Sequence, residues 1–500
     1  MTSSAQHTAT APSRRRRRTA AGAAFCLVAA AAAVSSVAAV PNSAGHHVRR
    51  PQQHLAHHAR DASTLMSGGT NNEGELHTPL TVPQGATLKN LTVGGGNAEL
   101  VVYWSDSTNN KQATAAFVMI HGRTRNGNDY WTVMNDALQS ALKDGYPGVD
   151  PNTIVTAPQF FSTKYNSGQY TDNQLGWGDV NAWQAGEVAT HPSNTKQSSF
   201  DALDAFIDEF ADTTKYPNMK NLTLVGHGGG GQLMARYAMV GKDTPSNLWI
   251  RYIVGDPSSN AYFTKDRPSD VPKSVANKSS CPDYNQWRYG FDNFTTYTGL
   301  KGKPIDFYSQ YIQRDVIQII GYQDVDASGD QYCMAMLQGG QKRRDRNLSW
   351  WRYINTLAQT NFDVSGFPGE YDSLPDWSNI SQHQIAHRLI VVEDADHDAA
   401  LVFGGAEGRA ALFGVDNLPT GWRPSGWNPA GTGKYVVGGS SGSSGSGKSP
   451  SGSGKNPSLA GSSNSTSSTN TGGAAPGLRT AGLAVVGSAL ALVAGVLTLL

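Results

Sequence analysis

Two short apolar runs, residues 86–93 and 98–104, flank the turn sequence Gly94-Gly95-Gly96-Asn97, a pattern that predicts a β-hairpin. Beyond it, two kinds of apolar segment alternate. Short continuous runs at 115–120, 153–157, 222–225, 249–254, 315–321 and 388–392 read as buried strands. Longer segments with helical spacing cover 129–143, 200–210 and 232–238. This order predicts an α/β fold, a mostly parallel sheet with helices on both faces. Residues 163–197 interrupt the rhythm and carry Tyr165, Tyr170, Trp177 and Trp183. A loop of that length reads either as a lid or binding loop or as ordinary packing.

Both ends of the chain depart from this pattern. Arg14 to Arg18 precede an alanine-rich apolar stretch with small residues near Ala39 and Ala44, the layout of a secretory signal over residues 1–44. A polar leader with His46, His47, His54, His57 and His58 fills 45–85 and reads as disordered, which leaves the folded domain at 86–432. A Ser/Gly-rich stalk follows over 433–473. Residues 474–500 join small residues, a short spacer and an apolar tail from Ala481 to Leu500, which together read as a GPI signal. A spanning helix is the alternative. The expected location is the secretory pathway, then the extracellular face of the plasma membrane or the cell wall, with membrane attachment through the C-terminal anchor.

The net charge of +1 and the lack of a basic stripe argue against a nucleic-acid partner. Of three cysteines, Cys26 lies in the signal, so Cys281 and Cys333 remain as an even pair in an oxidising compartment, where a disulfide is expected. Sequons place glycans at Asn90, Asn277, Asn293, Asn347 and Asn379, with a further sequon at Asn464. The one at Asn221 opens an apolar strand and is expected to be too buried for modification. No metal or cofactor motif is present.

The candidate chemistry starts at Gly226-His227-Gly228-Gly229-Gly230, between a predicted strand and a predicted helix. Strand, sharp turn and helix are the setting of G-x-S-x-G, whose central serine sits at a strained positive φ. Here the centre is Gly228, which tolerates that backbone but has no Oγ. Asp324, with Asp326 in reserve, follows the strand at 315–321, and His397 follows the strand at 388–392. Acid and then base is the chain order of a triad, each beyond the C-terminal end of a strand. Ser258 and Ser259 follow the strand at 249–254, where turn chemistry is the expected role.

On these residues the chain resembles the α/β-hydrolase superfamily, in particular its fungal and bacterial secreted members, from Ala86 to Trp427. Gly226 to Gln232 matches G-H-S-x-G-G-Q except at the serine, and Gly321 to Asp326 with Ala335 to Gly339 resembles the acid segment. The resemblance implies that Gly228 stands at the nucleophile position, with Asp324 as acid and His397 as base. It also implies that the backbone N–H groups of Arg123, after His121-Gly122, and Gly229 form an oxyanion hole. Arg123 and Arg125 could in addition favour an anionic ligand. The expected function is a secreted, cell-surface hydrolase-like protein that binds a small-molecule or cell-wall ligand, or serves as a scaffold, without catalysis. The alternative is a hydrolase or lyase in which a His397–Asp324 dyad activates water.

Overall fold

The computed structural model describes residues 80–414 apart from 107–108, 179, 243 and 295–301. The expected signal, most of the leader, the stalk, the C-terminal tail and Asn464 lie outside the described residues. Eight strands make the main sheet: β1 Ala86–Thr92, β2 Glu99–Ser105, β3 Ala115–Ile120, β4 Ile154–Gln159, β5 Asn221–His227, β6 Trp249–Gly255, β7 Asp315–Gly321 and β8 His387–Val392. Their spatial order is β1-β2-β4-β3-β5-β6-β7-β8. The expected hairpin is β1–β2, and β2 also meets β4 antiparallel. All pairings from β4 through β8 are parallel.

Side chains alternate across the sheet with period 2, so neighbouring residues enter different cores. Leu224, Val254 and Val316 pack on one face with α3 (Ser199–Ala211) and α4 (Gly229–Val240). Val225, Ile253 and Ile317 pack on the other with α1 (Gly127–Lys143) and the helices ending at Phe413. Helices therefore cover both faces. The start of α3 is fixed by a capping box, in which Ser198 Oγ accepts from Asp201 N and Asp201 Oδ2 accepts from Ser198 N.

Residues 163–197 are packed rather than open. Phe161–Ser162 pairs with Gly176–Trp177, and a short helix, α2 (Val180–Gln184), follows. Trp177 and Trp183 are fully buried, Trp183 stacking on Phe160 at 5.2 Å, so neither offers a face to a ligand. Tyr165 and Tyr170 are half-buried.

Two glycosylation expectations change. Asn347 lies in α7 (Arg343–Ala358) and is 1% exposed, so the folded protein withholds it from a glycosyltransferase. Asn221, set aside as buried, is exposed at the first position of β5, before the strand enters the core. Asn90, Asn293 and Asn379 are exposed, and Asn277 is half-buried.

Cys281 and Cys333 form a disulfide across 52 residues, joining the long segment after β6 to the four-residue helix α6 (Cys333–Met336). Closing such a loop restricts the unfolded chain, so replacing both cysteines by alanine is expected to cost about 2–4 kcal/mol. Denaturant unfolding measures it, and an unchanged midpoint with unchanged slope would contradict the assignment.

Candidate functional site

The site is built on the approach of α4 to the sheet. A Cβ on Gly226 would stand 2.1 Å from Gly230 O, one on Gly230 2.4 Å from Ile120 O, and one on Gly231 2.2 Å from Gly255 O. These glycines let the helix backbone meet β3, β5 and β6 directly. Between strand and helix, Gly228 turns the chain at φ 58°, ψ −113°, and its N–H donates to Gly255 O at 2.9 Å. This backbone strains any residue with a Cβ. Strand order, two-sided helices and this turn define one architecture. It is the α/β-hydrolase fold.

The loops after β7 and β8 bring the other expected residues to the turn. His397 Nδ1 lies 3.0 Å from Asp324 Oδ2. On the opposite edge of the ring, His397 Nε2 lies 2.9 Å from the point where a Cβ on Gly228 would stand. The His397 ring thus lies between Asp324 and Gly228. Asp326 is exposed and takes no part in this arrangement. Ser259 is buried, donating to Gln232 Oε1 and accepting from Arg236 Nη2, and Ser258 faces Gly329. Both serines belong to the packing behind β6.

The sequence reading missed Arg343, the first residue of α7. Its Nε and Nη2 donate to the two oxygens of Asp324 at 2.9 and 2.7 Å, and Nη1 donates to Ser328 Oγ. All three groups are buried. Burial pushes the Asp324 carboxyl up, but the charge of Arg343 and the contact with His397 outweigh it and hold the acid well below the usual carboxylate range. An ionised Asp324 accepts the His397 Nδ1 proton, which leaves the Nε2 lone pair facing Gly228. Burial first, then the charge of Arg343, lower the His397 pKa to about 3, with Asp324 opposing. The His397 side chain remains 21% exposed.

A second pair lies beneath. His227 stacks on His397 with ring centroids 4.6 Å apart and planes 29° from parallel. Its Nε2 is 3.3 Å from Asp256 Oδ2, and its Nδ1 meets the Tyr130 hydroxyl at 3.2 Å. Asp256 Oδ1 accepts from Gly321 N, and burial raises the Asp256 pKa. The ligand atoms of His227, Asp256 and His397 lie within 4.8 Å of one another. Among the described residues this is the one group with metal-binding spacing, but stacked rings direct their in-plane lone pairs side by side rather than toward one ion.

The expected oxyanion donors are adjacent. Arg123 N is 3.1 Å from the point where a Cβ on Gly229 would stand, and the Gly229 N–H opens α4 with no partner inside the helix. A residue absent from the sequence reading joins them, because Gln184 Nε2 is 2.9 Å from the same point. Arg125 does not serve an anionic ligand. It is 2% exposed at φ 56°, and its guanidinium donates to Phe161 O.

No family model and no curated protein matches the chain. Among solved structures, LpqC, a poly(3-hydroxybutyrate) depolymerase from Bordetella parapertussis, aligns over 66% of this chain and 90% of its own, at 16% identity and TM-score 0.42. Poly(aspartic acid) hydrolase-1 from Sphingomonas sp. KT-1 aligns over 64% and 95%, at 18% identity and TM-score 0.40. The siderophore hydrolase EstB from Aspergillus nidulans aligns over 65% and 94%, at 12% identity and TM-score 0.28. Likenesses this distant carry no substrate over to this chain, and the fold rests on strand order and turn geometry.

The His397 environment makes the fold acid-sensitive. Its pKa is depressed to about 3 against 6.5 in an unfolded chain, so between those values the unfolded state binds more protons and stability falls as pH falls. Asp324, also depressed, adds a loss below its unfolded value of 3.8. Denaturant midpoints should drop from pH 6.5 to pH 4, and less steeply in His397→Gln. Equal slopes for the two proteins would contradict the assignment.

Proposed function

We propose that this protein is a secreted, surface-displayed α/β-hydrolase homologue that binds a small-molecule or cell-wall ligand, or acts as a scaffold, without serine-hydrolase activity. One observation carries the reading. The residue at the turn is glycine, and the His397 ring lies 2.9 Å from the point a side-chain Cβ would take. No Oγ stands between base and substrate, and losing such a nucleophile costs roughly 10⁶-fold in turnover. The remaining acid, base and donors are groups suited to holding an acyl group.

The vacant Oγ position beside the Nε2 lone pair also favours a second reading, activation of a water by the His397–Asp324 dyad. General-base catalysis works best when the pKa lies near the working pH. An imidazole with a pKa lowered to about 3 is a weak base at neutral pH. Binding without turnover is the better-supported function.

Wild type should resist a fluorophosphonate probe, and Gly228→Ser should gain labelling. The new Cβ requires His397 to retreat by a few tenths of an ångström, and positive φ costs about 1–3 kcal/mol. Adding His397→Ala should abolish the gain. Labelling of wild type would refute the reading, and an inert, folded Gly228→Ser would show that the base no longer activates a nucleophile.

The surface reading rests on the leader and the C-terminal stalk and tail, and no nucleic-acid partner is proposed. Phosphatidylinositol-specific phospholipase should release the protein from intact cells. Retention in membranes with an intact C-terminal peptide would favour a spanning helix instead.

A further inference from the structure

We infer that Gln184 is a third side of the oxyanion pocket, and that the pocket takes the carbonyl of an uncharged acyl group, an amide or ester, in preference to a carboxylate. This deepens the reading above and rests on it. The geometry starts from Gly229. Gln184 Nε2 and Arg123 N both lie about 3 Å from the point a Gly229 Cβ would occupy, so both border the space on that side of Gly229. A side chain at position 229 would push the amide away. The second glycine of the turn thus makes room for Gln184, as the first leaves room for His397.

Gln184 is held with unusual firmness for a residue in a long connection. The carbonyls of Trp183, Gln184 and Ala185 accept, in turn, from Ser199 Oγ at 2.6 Å, Arg236 Nη1 at 3.2 Å and Trp287 Nε1 at 2.9 Å. Its side chain ends a chain of hydrogen bonds. Arg236 Nη2 donates to Ser259 Oγ, Ser259 Oγ donates to Gln232 Oε1, and Gln232 Nε2 donates to Gln184 Oε1 at 2.7 Å. Every member is buried. This bonding settles the amide orientation, because Gln184 Oε1 is the acceptor for Gln232 and Nε2 is therefore the edge turned to Gly229. A guanidinium at the far end polarises each bond in the same sense, which strengthens Nε2 as a donor.

The ligand class follows from the charges around this volume. Arg123 N–H, Gly229 N–H and Gln184 Nε2 are neutral donors that suit one carbonyl oxygen. The cation of Arg343 is matched by Asp324 and lies behind His397. The Nε2 lone pair of His397 faces the turn, where the second oxygen of a carboxylate meets repulsion and an amide N–H finds an acceptor.

Acetanilide and phenylacetate separate these cases, with binding to the purified mature protein measured by calorimetry. Acetanilide should bind at least tenfold tighter than phenylacetate. Gln184→Met, which keeps the length and removes the donor, should weaken acetanilide by about tenfold, the scale of one well-placed hydrogen bond. Denaturant unfolding confirms that the variant is folded; if it is not, Gln184→Leu, which removes the donor with a shorter side chain and leaves Gly229 and Arg123 unchanged, serves in its place and should weaken acetanilide similarly. In the Gly228→Ser background, Gln184→Met should slow fluorophosphonate labelling by more than about tenfold, as loss of an oxyanion donor does. Unchanged acetanilide affinity in a folded variant overturns the inference, as does phenylacetate binding tighter, or no acetanilide binding by wild type. Hydrolysis of acetanilide by wild type, lost in His397→Ala, refutes the non-catalytic reading and leaves the Gln184 result to stand on its affinities.

Discussion

The backbone-to-backbone contact of α4 with β3, β5 and β6 is the constraint on which the site depends. Wherever a helix meets strands this closely there is no room for Cβ atoms, and Gly226, Gly230 and Gly231 supply that room. The contact forces the chain through a turn at Gly228 with positive φ and aims the first helical N–H at the cleft. From there the loops after β7 and β8 need only reach the same point. The acid and base arrive because parallel strands all end on that side of the sheet.

Charge organisation around Asp324 then decides what the cleft can do. A buried carboxylate facing only a histidine would share its proton demand with that histidine and stabilise an imidazolium. Asp324 instead answers to a bidentate guanidinium that is permanently charged. The ion pair is neutral overall, so its net pull on a proton at His397 is small, and the ring stays an unprotonated acceptor. Removing one partner would leave a buried charge uncompensated, so the pair holds together independently of any catalytic role.

Much of this was legible in the chain. Apolar runs located all eight strands to within two residues, β3 to β8 because buried parallel strands are continuous in their hydrophobicity, and β1 and β2 through the glycine turn between them. The glycine cluster gave the turn, and strand ends gave Asp324 and His397. What escaped were groups whose role depends on long-range burial. Arg343 lies in Arg343-Arg344-Asp345-Arg346, a run that reads as a solvated helix end, yet α7 is buried almost all round and has no polar face to reveal it. The same burial hides Asn347. Gln184 lies in a segment whose Tyr and Trp residues drew attention, while Trp177 and Trp183 serve as the core that fixes it.

The two glycines at the turn have different consequences. At position 228 the backbone itself carries the strain, about 1–3 kcal/mol for any side chain, so glycine is the residue that costs least there. At position 229 the backbone is helical and glycine brings no such relief; in a helix it is less favourable than alanine by about 1 kcal/mol. Stability alone therefore favours glycine at the first position and argues against it at the second. The second is accounted for by what fills the space, the Gln184 amide and its line of bonds back to Arg236. A glycine beneath a positioned donor is the arrangement that the proposed ligand-holding site requires, since any side chain there would displace the Gln184 amide.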